Sequence, residues 1–150
     1  MNLKSRRKNK IIRGGAASGT TQKLLNALMK KGKKSTAEKV VRRLCETIEI
    51  KENKKSMSFI HYAIQAIRPL VGWSEKQGRN RKSKPIPLSI QTSERFAIKW
   101  IIEGAKKRPE RSMTYAIYLE LLNAYIGKKS FAMSKREELH NVCKATYFRR

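Results

Sequence analysis

Aspartate is absent from this chain, and its 11 acidic residues are all glutamate. That removes the commonest magnesium ligand of nucleotide-handling enzymes, and no paired catalytic acids take its place. Cysteine is nearly absent too. Cys45 and Cys143 stand far apart, with no CxxC and no Cys/His cluster, so no zinc site is expected. Both read as reduced core thiols, which fits an intracellular or matrix compartment. No apolar run approaches the roughly 20 residues of a membrane span, so insertion into a membrane is not expected. The N-terminus, MNLKSRRKNKIIRGG, is basic but lacks the apolar region of a signal peptide. Its basic residues form blocks and it runs into GGAASG, which makes a poor mitochondrial presequence. There is no GxxxxGK[ST]. His61 and His140 have no neighbouring Cys or Ser with a nucleophile signature and read as surface or interface histidines. Catalysis, a metal and a cofactor are therefore not expected.

What the chain has in abundance is positive charge. Its 36 Lys and Arg residues against 11 acids give +25 over 150 residues. Charge on this scale cannot be neutralised within the fold and implies a polyanionic partner. Nucleic acid is the first candidate and an anionic membrane surface the second. The apolar content of 39% is lean but sufficient for one core. A single domain of this length buries roughly 70% of its unfolded surface.

Hydropathy periodicity predicts six helices. Residues 1–19 read as a flexible basic arm ending in RGGAASG. Arg6, Arg7 and Lys8 are contiguous there, and an arm that orders on an anion relieves their mutual repulsion. Residues 20–150 read as one helical domain. The first helix is expected from about Thr20 to Lys31, stopped by Gly32. STAE follows, a capping box from Ser35 to Glu38 that opens the second helix. The third covers about Met57 to Arg68 and ends at Pro69. From about residue 70 to 91 two short extended runs, LVGW and PIPLSI, flank a charged loop. Pro85 and Pro87 exclude a helix interior, so this reads as a β-hairpin arm with its prolines on an edge. The fourth helix is expected over about Ser93 to Lys107 and the fifth over about Ser112 to Ile126. The sixth opens on a second capping box, Ser134 to Glu137. The fold class is mostly α: a six-helix, bundle-like body with a protruding β-hairpin.

Basic residues concentrate between these helices. LMKKGKKSTAEKVV sets Lys30, Lys31, Lys33 and Lys34 around one glycine at a helix start. Lysines there are unfavourable to the helix dipole, whereas phosphate is favourable. The turn therefore reads as a backbone clamp, with a solvated turn as the plain alternative. KKRPER repeats the design with Lys106, Lys107, Arg108 and Arg111. KSFAMSKRE repeats it with Lys135 and Arg136 in the first turn of the last helix. Three such sites form a phosphate-tracking face, and Arg149 and Arg150 extend it at the end of the chain. The hairpin loop carries Arg79, Arg81 and Lys82 near Trp73, a basic finger suited to folded RNA. Trp73 reads rather as packed on the body, and Trp100 as core.

MKKGKKSTAEK, AIQAIRPLV, ERFAIKWIIEGAKKRPERSM and KREELH with a closing YFRR occur in one order. That order resembles bacterial-type ribosomal protein seven of the small subunit, over about Thr20 to Arg150. The resemblance implies a six-helix body with a β-hairpin. It also implies a primary binder of the 3′ major domain of small-subunit rRNA, which nucleates head assembly near the exit-site tRNA and the mRNA path. Ribosomal proteins nine and eleven are the implied neighbours. The lysine turn, Lys106 to Arg111, and Lys135 with Arg136 match the family's rRNA-facing segments. The hairpin tip, GRNRKSKPIPLSI, and the N-terminal arm depart from the family pattern. The chain stops at YFRR and is rich in Lys, Ile and Asn. This favours a mitochondrial ribosome, with a plastid or a bacterium as alternatives. The competing function is a helix-turn-helix DNA-binding protein using the fifth and sixth helices. It is disfavoured because GKKSFAMSK reads as longer than the usual 3–4-residue turn.

Overall fold

A computed structural model of the chain describes residues 16–74 and 84–148. Among these, six helices and one hairpin follow in the order α1 (Ala16–Leu28), α2 (Lys34–Glu52), α3 (Ser56–Ile67), β1 (Val71–Ser74), β2 (Lys84–Pro87), α4 (Ile90–Lys107), α5 (Met113–Ile126) and α6 (Phe131–Phe148). The expected mostly helical fold with a two-stranded arm is the fold observed.

Each helix exists because an apolar stripe recurs at three- and four-residue spacing. On α3, Phe59, Ile60, Ala63, Ile64 and Ile67 are all buried. The helix stops there because Arg68 precedes Pro69 and turns extended, with ψ 124°. On α4 the buried set includes Ala97, Trp100, Ile101 and Ala105, and Ser89 caps the start by accepting from the Thr92 amide at 3.3 Å. Arg108, ahead of Pro109, ends it in extended geometry. The most apolar helix, α5, lies at the centre of the body and packs on α2, α3, α4 and α6. It ends in a Schellman motif: Gly127 at φ 79° donates to the Ala124 carbonyl, and Lys128 to that of Asn123 at 2.8 Å.

In the hairpin, Val71 pairs with Pro87, Gly72 with Ile86 and Trp73 with Pro85. The Leu88 amide donates to Leu70 O at 3.0 Å, so that pair is hydrogen-bonded. Antiparallel pairs alternate between bonded and non-bonded. Both prolines therefore fall at non-bonded positions, where a missing N–H costs the ladder nothing. The hairpin lies against α6, and Trp73 is half-buried at its base.

Several boundaries differ from expectation. Helix α1 starts at Ala16, ahead of Thr20, and ends at Leu28, ahead of Lys31. The Ser35 capping box does not form. Helix α2 begins at Lys34 with Lys33 as its cap and no side-chain cap bond, which puts Ser35 inside the helix. The Ser134 box does not form either, because Ser130 caps α6 by accepting from the Met133 amide at 3.3 Å. Starting the helix there buries Ala132 and seats Phe131 beside α4, which a start at Ser134 would forfeit. The connection from α5 to α6 is therefore only residues 127–130. It has helix-turn-helix length, and the loop-length argument against that reading fails.

Candidate nucleic-acid interface

The turn after α1 is tighter than a simple helix stop. Lys31 at φ 50° and Gly32 at φ 72° are both left-handed, and the Lys33 amide closes on the Lys30 carbonyl at 3.0 Å. Two consecutive left-handed residues give the pattern of a type I′ turn. Glycine takes this conformation freely, whereas Lys31 bears a cost of about 1 kcal/mol. The turn leaves Lys30, Lys31, Lys33 and Lys34 exposed. Lys34 has only a loose i,i+4 approach to Glu38, at 4.0 Å.

Packing of α1, α2 and α4 then brings two sequence-distant clusters together. Lys30, Lys31 and Lys33 on one side and Lys106, from the last turn of α4, on the other rim a groove of about 550 Å³. Its floor is apolar, made by Leu28, Ala37, Val40, Ile102 and Met113. A second groove of about 320 Å³ continues from it, sharing Ala27, Ile102 and Lys106 and adding Lys23, Arg95 and Lys99. The acids here are largely matched. Glu94 is held by Lys23 at 2.5 Å, and Glu103 lies 4.0 Å from Lys99.

Lys23, Arg95 and Lys99 were not among the expected site residues. A search for runs of charge passes over them, because none of the three stands beside another basic residue. Their signal is helical: Arg95, Lys99 and Lys106 are spaced four and seven apart and so share one face of α4.

The other candidates are dispersed. Lys107 places its ammonium 4.1 Å from the Phe131 ring centre. Arg108 turns inward, its Nε donating to Glu120 at 2.8 Å, with Glu110 at 3.8 Å. Glu120 is buried and its second oxygen has no partner. Arg111 is exposed. Lys135 and Arg136 lie one turn deeper in α6 than expected and do not line the groove. Lys135 pairs with Glu138 at 2.7 Å, while Arg136 donates to the Ala66 carbonyl and so ties α6 to the end of α3. Arg6, Arg7, Lys8, Arg79, Arg81, Lys82, Arg149 and Arg150 lie outside the described residues.

The histidines join elements. His61 hydrogen-bonds Thr20 of α1 at 3.2 Å and Gln65 at 2.9 Å. His140 Nε2 accepts from the Leu70 amide at 3.2 Å, fastening the hairpin base to α6. Tyr118 donates to Glu52 at 2.6 Å, and loss of solvent together with that carboxylate pushes its phenol up to about 12. Burial raises both thiols, Cys45 and Cys143, above the ordinary range. Among the described residues, no group of three His, Cys or Glu side chains could hold a metal, and no helix is long and apolar enough to cross a membrane.

A helical body with one short hairpin and a lysine-rimmed groove defines a class: basic α-helical proteins with a surface matched to a polyanion. Residues 3–146 match the family model described as ribosomal protein S7p/S5e. The small ribosomal subunit protein uS7 of Blochmanniella pennsylvanica is 35% identical over 124 residues, which is 82% of this chain and 79% of the relative. That of Polynucleobacter asymbioticus is 37% identical over 127 residues, and that of Pelagibacter ubique 32% over 124, with the same coverage. The chain belongs to the bacterial-type ribosomal protein S7 family, non-enzymatic constituents of the small ribosomal subunit. Family membership, rather than loop length, argues against the helix-turn-helix reading.

Proposed function

We propose that this chain is a primary rRNA-binding protein of the small subunit, which grips the 3′ major domain and nucleates assembly of the head. The observation that carries the reading is the convergence of the lysine turn and Lys106 on one groove, with Lys23, Arg95 and Lys99 prolonging it. Such a face tracks a backbone by charge and leaves sequence preference to the shape of the folded RNA. Arg108 and Arg136 serve the fold, and the phosphate contacts fall to the exposed lysines and to Arg111. Ribosomal proteins nine and eleven are the proposed protein neighbours, with exit-site tRNA and the mRNA path nearby.

The test is binding of the purified chain to a 3′-major-domain rRNA fragment across salt, against scrambled RNA and duplex DNA of equal length. The rRNA complex should survive at moderate salt after both decoys have been lost. Equal, steep loss of all three would reduce the protein to a polycation and overturn the reading.

Ribosomal location follows from the family. The bacterial relatives fit a bacterial cytoplasm, whereas composition favours the mitochondrial matrix, and we keep the latter as a proposal. Cell fractionation showing the chain on ribosomes outside mitochondria would refute it.

A further inference from the structure

We infer that the groove between α1, α2 and α4 holds one unpaired RNA base on its apolar floor while the rim lysines grip the phosphates on either side. The inference rests on the rRNA reading above and adds what kind of RNA element the site takes.

A phosphate clamp needs cations and amides, and an apolar floor contributes nothing to it. Yet the floor here is Leu28, Ala37, Val40, Ile102 and Met113, and its polar groups stand at the edge. Leaving such a surface in water is unfavourable, and a ribose-phosphate chain crossing the rim would not cover it. A nucleobase would, because its faces are apolar and its edges polar. At about 550 Å³ the groove is of small-ligand size.

The placement of charge agrees. Lys30, Lys31 and Lys33 stand on the turn side and Lys106 on the α4 side, so an inserted base would leave its 5′ and 3′ phosphates near opposite rims. Thr36, also on the rim, has a hydroxyl available for a base edge. No aromatic residue lines the groove, so the base is held by aliphatic contact and not by ring stacking. The basic rims favour an RNA backbone and disfavour this chain's own N-terminal arm, whose charge has the same sign. A base within a duplex must first be unstacked, at a cost of a few kcal/mol. The site therefore takes a base from a bulge, loop or junction, where that cost is already met.

Filling the groove without touching a lysine tests this. Ala27 is exposed and lines both grooves, so Ala27→Trp in the full chain occupies the floor and keeps every rim charge. Affinity for the 3′-major-domain fragment should fall by about tenfold or more, because the base loses its apolar burial, with the salt slope unchanged. Unchanged affinity overturns the inference and returns the groove to a protein partner. A fall in slope overturns it too, since the loss would then lie with phosphates. If Ala27→Trp does not fold, Thr36→Trp, also exposed and lining the groove, fills the same space and is read the same way. Loss of rRNA preference by the unsubstituted chain is a different result: it removes the rRNA reading and the inference with it.

Discussion

Lys106 and Arg108 are near neighbours in sequence and have opposite surroundings. Lys106 lines the groove in solvent, whereas Arg108 is half-buried against Glu120, a carboxylate that is almost wholly withdrawn from water. Cutting Arg108 to Ala leaves that charge buried without its cation, a change that costs about 3–5 kcal/mol. Chemical denaturation should show a loss on that scale for Arg108→Ala, and a change within about 0.5 kcal/mol for Lys106→Ala. Similar small losses for both would show that Arg108 is not the support of Glu120. His140 gives a residue-scale dependence on pH. Burial, then Arg136 and Lys144, lower its titration below the ordinary 6.5, and its Nε2 must be neutral to accept from Leu70. The unfolded chain thus takes up the proton first. This contribution to stability is complete above about pH 6.5 and is lost as pH falls toward the lowered value. Replacing His140 by Gln should flatten the stability–pH curve in that window, and an unaltered curve would exclude the histidine as its source.

Single elements show where local rules hold and where packing overrules them. Pro69, Pro109 and Gly127 end their helices as their backbone chemistry requires. Ser35 and Ser134 are sound caps by sequence, yet neither is used. A cap is worth about 1 kcal/mol, while starting α6 at Phe131 buries Ala132 and a large part of an aromatic ring. The lysine turn is an element of the same kind, closed by two left-handed residues and charged throughout. Changing Lys33 and Lys34 together to Ala should lower the salt slope of rRNA binding by about 1.5, with the helical signal of circular dichroism retained. An unchanged slope would remove this turn from the interface.

At the scale of the whole molecule, +25 acts in two opposite directions. In the free chain like charges repel, so added salt should raise the unfolding midpoint. On rRNA the same salt competes for phosphates. With about 8 contacts, going from 50 to 200 mM should cost on the order of four decades in affinity. Thermal melts and binding isotherms across one salt series check both signs. Parallel trends would mean that charge is not what holds the complex. The groove is also a whole-molecule property, because its two rims come from α1–α2 and from the far end of α4, brought together where α1 packs on α4.

The sequence by itself determined the helical class, the hairpin, the core stripes and the sign of the partner's charge. These depend on periodicity, on proline and glycine, and on composition, all of which are local or additive. It also marked the lysine turn and Lys106, since contiguous charge is visible in one dimension. Only the tertiary structure decided that those two clusters share a groove, that the groove has an apolar floor, and that Lys23, Arg95 and Lys99 extend it. It alone turned Arg108 and Arg136 inward. The reason is geometric. A side chain's charge is written in the sequence, but whether it meets solvent, a carboxylate or a carbonyl depends on which helices pack beside it.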